Sequence, residues 1–327
     1  MRVAIAQVDG KWPNLALAKL AAWHKAQGDT VEWFDPLFGA DRVYASKVFT
    51  DTLDDPYLPE NAVRGGSGYD LTTVLPDDVE ATKPDWSLWP WWRKDMGFST
   101  RGCVRHCPVC IVPQKEGRLR VVADFGDLTT GRSDLILLDN NLTAAPPEQF
   151  RSVCRDATAA GVRLDFSQGL DARLLTDWHA MILRRTRTVK TIHFAFDHMR
   201  DEAAVRAAVA TMQRAGWPAS RLMFYVLIGY DSTPAEDMER VEIVRSLGAD
   251  PFVMRYDGSD PYQRRFARWV NNMAAFNAMT WDEWQATFKS RLVAAEVPDY
   301  QQARGALIPL PGSDAPEVII RRLRDGG

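Results

Sequence analysis

The chain has 327 residues, 46% of them hydrophobic and 25% charged, with a formal net charge of −3 and four cysteines. This is the composition of a soluble globular protein with a substantial core, and it excludes a chain dominated by disorder. The slight negative charge gives no global sign of a nucleic-acid binder.

The opening MRVAIAQVD enters a strand-like alternation at once, with no basic and apolar leader. No window approaches about 18 uninterrupted apolar residues, so a cytoplasmic protein with no membrane association is expected. Residues 1–80 read as a small Rossmann-like α/β domain. MRVAIAQV forms a strand, Asn14 to Gln27 an amphipathic helix closed by Gly28, TVEWF a second strand and DRVYASKVF a third. The glycines of VRGGSGYDL suit a tight connecting turn better than a phosphate loop.

Residues 81–95 form a connector containing Trp86, Trp89, Trp91 and Trp92. Burial at the junction of two domains is the expectation, with stacking on a flat ligand as the alternative.

From residue 96 to 258, short apolar runs alternate with helical patterns. The runs are GFST from Gly97, DLILLD from Asp134, VRLDF from Val162, TIHFAF from Thr191, LMFYVLIG from Leu222 and DPFVMRY from Asp250. Helices are expected over Pro147 to Ala160, Asp177 to Thr186, Asp201 to Ala215 and Pro234 to Leu247. The last begins with Thr233, Pro234 and Glu236, which together supply an N-cap, a first-turn proline and a capping box. Strand and helix alternating at intervals of about 30 residues imply βαβ units and a parallel sheet, here a partial (β/α)6 barrel with its chemistry at the C-terminal strand ends. Residues 259–327 read as a helical C-terminal extension. Basic runs at Arg184-Arg185-Thr186-Arg187, Arg264-Arg265 and Arg321-Arg322-Leu323-Arg324 are expected to be solvated helix faces.

Three of the four cysteines lie in STRGCVRHCPVC, spaced Cys103-x3-Cys107-x2-Cys110, and with the distant Cys154 they make a poor disulfide framework. A structural zinc site would need a second cysteine pair or well-placed histidines. The chain has no second pair, and His106, adjacent to Cys107, has difficulty turning onto the same metal. Three thiolates without a fourth ligand suit an iron–sulfur cluster with one open iron. Gly102 allows a sharp turn before Cys103, and Pro108 stiffens the loop. Cys154, in the helical run QFRSVCRDAT, is expected to be a buried structural thiol.

The cysteine spacing, directly after the first strand of a six-unit barrel, resembles that of the radical S-adenosylmethionine (SAM) enzymes. The resemblance covers roughly residues 96 to 257. It implies a [4Fe–4S] cluster on Cys103, Cys107 and Cys110, with the fourth iron chelated by SAM. It also implies reductive cleavage of SAM to a 5′-deoxyadenosyl radical that takes a hydrogen atom from substrate. Val109 stands where many members carry an aromatic residue near the adenine, so apolar contact is expected there and stacking is not.

By their places at strand ends, further residues are implied as cofactor contacts. Asp139, Asn140 and Asn141 resemble the polar strand end that faces the SAM amino group, an Asx-rich turn being the alternative. Gln168 and Arg173 follow the third run; Arg173 suits the SAM carboxylate, with a salt bridge to Asp171 as the competing reading. Asp197 would contact SAM hydroxyls, and His198 the substrate or a transferred proton, a capping Asp and a structural His being the alternatives. Gly229 and Asp231 would border adenine, and Arg255, Tyr256 and Asp257 would face substrate. The N-terminal unit resembles a shortened cobalamin-binding domain lacking the Asp-x-His-x-x-Gly ligand motif, which His24 does not replace. A degenerate domain used for packing or substrate binding is therefore favoured over cobalamin.

Family resemblance also implies a reductant protein such as a flavodoxin or ferredoxin. The substrate, whether small molecule, peptide or nucleic acid, is not readable. The competing reading is a noncatalytic iron–sulfur or zinc protein whose cysteine loop serves a structural or partner-binding role.

Overall fold

The computed structural model describes residues 1–287; the remainder of the helical extension, with its basic run Arg321 to Arg324, lies outside the described residues. One compact unit spans Met1–Asn271 and a second begins at Asn272.

The chain opens with β1 (Arg2–Gln7), α1 (Leu15–Ala26), β2 (Thr30–Trp33), β3 (Arg42–Ser46) and β4 (Val63–Gly65). They form a parallel sheet in the order β2-β1-β3-β4. Asn14 caps α1 by accepting a hydrogen bond from Leu17 N at 3.1 Å, and Leu17, Ala18, Leu20 and Ala21 bury the face that meets the sheet. The glycine-rich stretch is a packed turn. A Cβ on Gly66 would lie 2.3 Å from the Lys47 carbonyl oxygen, and one on Gly68 would lie 2.7 Å from that of Phe49. Two backbones touch there, which requires glycine.

After α2 (Asp77–Glu80) comes the tryptophan connector. Trp86, Trp89 and Trp92 are buried in one cluster with Val3, Ile5 and Leu17 of the first sheet and with Met96 and Ile136 further on. Trp91 is 58% exposed. The burial expectation therefore holds for three of the four indoles, and no flat ligand is needed to explain those three.

The rest of the unit alternates strand and helix: β5 (Asp95–Gly97), β6 (Thr100–Arg101), α3 (Val112–Lys115), β7 (Arg120–Val121), α4 (Phe125–Leu128), β8 (Asp134–Leu137), α5 (Pro147–Ala159), β9 (Arg163–Asp165), α6 (Asp177–Arg185), β10 (Ile192–Ala195), α7 (Glu202–Arg214), β11 (Leu222–Ile228), α8 (Pro234–Ser246), β12 (Asp250–Arg255) and α9 (Pro261–Val270). The fold is mixed α/β with parallel sheets. Strands β5-β8-β9 form one three-stranded parallel sheet and β10-β11-β12 another. Single parallel bridges, Leu164 to Thr188 and Leu170 to Phe194, lie between the two. Strands β6 and β7 form a two-residue antiparallel ladder.

The first of the six apolar runs differs from expectation: the strand is Asp95–Gly97, and GFST from Phe98 onward has left that sheet. Asp139 draws Ser99 and Thr100 away, as described below.

Alternation along β11 separates two environments. Leu222, Phe224, Val226 and Ile228 are fully buried, and α8 and α9 pack against β11 and β12. The opposite face, Met223, Tyr225 and Leu227, is half-buried, and beside it Phe252 and Met254 of β12 are 39% and 48% exposed. This second face is open where the first is closed. Thr233 and Glu236 form the expected capping box of α8.

The second unit begins with α10 (Met273–Ala278), capped by Asn272, which accepts from Ala275 N at 3.2 Å. Among the described residues, no helix is long and apolar enough to cross a membrane.

Candidate functional site

The cysteine loop is held at its root by a carboxylate from the next strand end. Asp139 is buried and accepts four hydrogen bonds: Ser99 N at 3.1 Å, Ser99 Oγ at 2.6 Å, Thr100 N at 2.5 Å and Thr100 Oγ1 at 2.6 Å. Burial pushes its carboxyl above the usual range, with these four donors opposing the shift. Asn140 continues the arrangement, its Oδ1 accepting from Gly102 N at 2.9 Å. Gly102 has φ +81°, and a Cβ there would sit 2.3 Å from the Arg118 carbonyl oxygen. The loop then closes on itself: Cys103 N donates to Gly117 O, β6 pairs with β7, and Arg101 bridges Glu80 and Glu116.

Asp139 and Asn140 are thus builders of the loop. Both side chains are engaged with residues 99 to 102.

On this loop Cys103 and Cys107 are half-buried and Cys110 is exposed, and all three are free thiols. Cys103 Sγ accepts from Arg105 N at 3.3 Å and from Asn141 Nδ2 at 3.5 Å; Cys110 Sγ accepts from Val112 N at 3.4 Å. The Cys110 thiol is pushed up by burial and further by Cys107, Cys103 and Asp197, against the Val112 amide. Val109 is half-buried and His106 exposed. Among the described residues no set of three or more His, Cys, Asp or Glu side chains forms a ready-made metal cage.

Asn141 has a different place from its two neighbours. Its side chain is buried, its Nδ2 donates to Cys103 Sγ and to Asp171 Oδ2 at 3.2 Å, and its Oδ1 is buried with no hydrogen-bond partner. An unpaired buried acceptor is costly, roughly 1–3 kcal/mol, so this oxygen suits an N–H or ammonium donor brought by a ligand.

Arg173 is engaged with protein carboxylates: Nε donates to Asp171 Oδ1 at 2.8 Å, Nη2 to Asp171 Oδ2 at 3.3 Å and Nη1 to Asp201 at 3.4 Å. The salt bridge to Asp171 named as the competing reading is thus formed, with Asp201 as a second partner. Arg105, from inside the cysteine loop, also reaches Asp171 Oδ2 at 3.0 Å. Burial pushes the Asp171 carboxyl up, but Arg173 and Arg105 outweigh it and hold the group below the ordinary value. Gln168 is exposed, with no hydrogen bond among the described residues.

Asp197 ends the face that bears Ala195. One oxygen accepts from Leu227 N at 3.2 Å. Its tip reaches solvent, yet the surrounding protein desolvates it enough to push its carboxyl up, against the Leu227 amide, Arg240 and Arg173. His198 Nδ1 accepts from Arg200 N at 3.1 Å and caps the 3-10 turn Met199–Asp201, which is the structural alternative. Gly229 has φ +76°, and a Cβ there would fall 2.1 Å from Gln263 Nε2, so the close approach it permits is that of α9. Asp231 is exposed at φ +47°. Arg255 Nη1 donates to Gly258 O at 3.2 Å, Asp257 Oδ1 accepts from Ser259, and Tyr256, 55% exposed, tilts against Tyr230 with ring centroids 4.9 Å apart.

Two residues set aside by the sequence argument are explained by packing. Cys154 is buried in α5, and burial pushes its thiol up to about 12. His24 is buried, with Nδ1 2.7 Å from Asp29 Oδ2 and Nε2 3.0 Å from Tyr44 Oη, so both ring nitrogens are used inside the N-terminal unit.

No protein-family model matches the chain, and no curated protein matches it.

Sequence reasoning missed Ser99, Thr100 and Arg105 and treated Asp171 only as a competitor for Arg173. Arg105 carried a signal, as a cation within a thiol cluster; Ser99 and Thr100 carried none.

Proposed function

We propose that the chain is a radical SAM enzyme, with Cys103, Cys107 and Cys110 as the three protein ligands of a [4Fe–4S] cluster. The observation that carries this reading is the pairing of three free thiols on one glycine-rooted loop with the unpartnered Oδ1 of Asn141 beside Cys103. The donor set is right for iron and sulfide, and amide N–H groups already point at two of the sulfurs. When bound, the cluster and SAM supply the one-electron chemistry that the side chains alone lack.

The chain's own residues would do the positioning. Asn141 Oδ1 would accept from the amino group of SAM, the free oxygen of Asp197 would accept from its hydroxyls, and Val109 would make apolar contact. Gln168, Asp231, Arg255 and Tyr256, exposed at the strand ends, remain candidates for the outer part of a ligand. Support for a partial (β/α)6 barrel comes from the six parallel strands in sequential order, β5-β8-β9 and β10-β11-β12, and the parallel bridges Leu164 to Thr188 and Leu170 to Phe194. The open face of Tyr225, Phe252 and Met254 would then border the substrate. A flavodoxin or ferredoxin would deliver the electron.

The test is anaerobic reconstitution with iron and sulfide, then reduction with SAM present. Formation of 5′-deoxyadenosine and methionine, with a SAM-dependent change in the electron paramagnetic resonance spectrum, is expected. A cluster that ignores SAM, or zinc binding in its place, would overturn the reading in favour of a structural cysteine loop.

A further inference from the structure

We infer that Asp171 is the positioning residue of the cysteine loop, acting through Asn141 on the sulfur of Cys103. The geometry gives each link. An ionised carboxylate only accepts hydrogen bonds, so the edge of the Asn141 amide that meets Asp171 Oδ2 at 3.2 Å must be its NH2. The same NH2 then donates to Cys103 Sγ at 3.5 Å, and the carbonyl oxygen is turned to the other side. An amide at position 171, which can turn either its oxygen or its NH2 toward Asn141, would no longer dictate that orientation.

Asp171 is itself tightly fixed. Its backbone N–H donates to Thr143 Oγ1 at 3.0 Å, and Arg173 grips both carboxylate oxygens. Arg105, whose own backbone N–H donates to Cys103 Sγ, ties the loop to the same carboxylate. As a result Cys103 Sγ has two donors, Cys110 Sγ has one, and Cys107 Sγ has none among the described residues. The three sulfurs are inequivalent by construction. Donors to a ligating sulfur draw off negative charge, so Asn141 would raise the reduction potential of a cluster held there. That last consequence rests on the proposed function; the hydrogen-bond relay does not.

The test compares Asn141→Leu, Asp171→Asn and the double variant, each checked for native thermal unfolding. The first readout needs no cofactor: alkylation rates of each cysteine in the full-length apoprotein at one pH, followed by mass spectrometry. Asn141→Leu should change the Cys103 rate by about two- to threefold, the size of one modest hydrogen bond. Asp171→Asn should change it in the same direction, and the double variant no further, because one residue works through the other. Arg105→Gln, which releases only the loop tether, should leave the effect of Asn141→Leu intact. The second readout is the potential of the reconstituted cluster, expected to fall in both single variants with no addition in the double. Additive effects on Cys103, or an unchanged rate in Asn141→Leu, would overturn the relay. Failure to form a cluster would count against the radical SAM reading alone, since the alkylation result still decides the relay.

Discussion

The backbone N–H and the hydroxyl of Thr100 both end on one oxygen of Asp139, at 2.5 and 2.6 Å, 39 residues apart in the chain. With Ser99 occupying both oxygens, this buried carboxylate fixes the exit of β5 and hence the root of the cysteine loop. Asp139→Ala leaves at least two backbone N–H groups buried without a partner, so a loss of about 2–4 kcal/mol is expected. Urea unfolding should register it, and limited proteolysis should move its first cut into residues 99 to 117. An unchanged midpoint and cleavage pattern would show that the loop is held elsewhere.

Cys154 provides a contrast within one molecule. Its thiol is buried and pushed up to about 12, whereas the other three reach or approach the surface. Iodoacetamide at neutral pH should label Cys103, Cys107 and Cys110 in the native protein and spare Cys154 until the chain unfolds. Cys154→Ala should leave SAM cleavage largely intact, while alanine at any loop cysteine should abolish it. Cleavage at normal rates by Cys107→Ala would remove the basis of the proposed function.

Much of the architecture was legible because it rests on local chemistry. Leu222 to Ile228 is an unbroken apolar run of strand length, and Thr233, Pro234 and Glu236 mark a helix start within four residues. Strands β6 and β7 were not legible: two residues carry no period. The six strand ends were also located closely enough to list candidates, but their roles depended on partners far away in sequence. Nothing in DNN distinguishes Asp139, engaged with residues 99 and 100, from Asn141, which faces Cys103 and Asp171. Trp91 and Trp92 make the same point, adjacent and alike yet one exposed and one buried.

Asp171 also sets a pH dependence. Its carboxyl is held below the ordinary value by Arg173 and Arg105 against the opposing effect of burial. A lowered folded-state pKa gives stability that is present above the unfolded value, about 3.9, and is lost as pH falls through the folded one. Asp171→Asn should therefore be destabilised relative to the parent at pH 7, and the gap should narrow in acid below that unfolded value. Denaturant midpoints at the two pH values check the sign. A gap that widens in acid would contradict the assignment of charge.

Gly229 and Gln263 should behave as a pair. Alanine at 229 brings both a left-handed residue with a side chain and a Cβ 2.1 Å from Gln263 Nε2. The conformational part costs about 1 kcal/mol and cannot be relieved at a distance. The clash can be relieved: Gln263→Ala in the same chain should recover the steric part while losing the hydrogen bond to Asp257 N at 2.9 Å. Thermal unfolding of the two single variants and the double should thus show the double closer to Gln263→Ala than the sum predicts. Strict additivity would mean that Gln263 swings away unaided.

Arg240 lies beneath the strand ends that carry Asp197 and Leu227, fully buried with its partner Asp237 at 2.6 Å. Its Nη1 donates to the carbonyl oxygens of Asp197 at 2.6 Å and Leu227 at 2.8 Å, tying β11 to the turn after β10. Removing the cation alone leaves two carbonyls unanswered and a buried carboxylate without its counter-charge, held by the hydroxyls of Ser232 and Tyr262, so Arg240→Met should cost about 3–5 kcal/mol. Removing both charges with Asp237→Leu and Arg240→Met spares the buried carboxylate but not the two carbonyls. The double variant should therefore regain part of the stability and still misplace Asp197. Denaturant unfolding measures the first effect. The second should appear as weaker SAM binding by the reconstituted protein, and a double variant with both stability and SAM affinity of the parent would show that Arg240 has no part in placing Asp197.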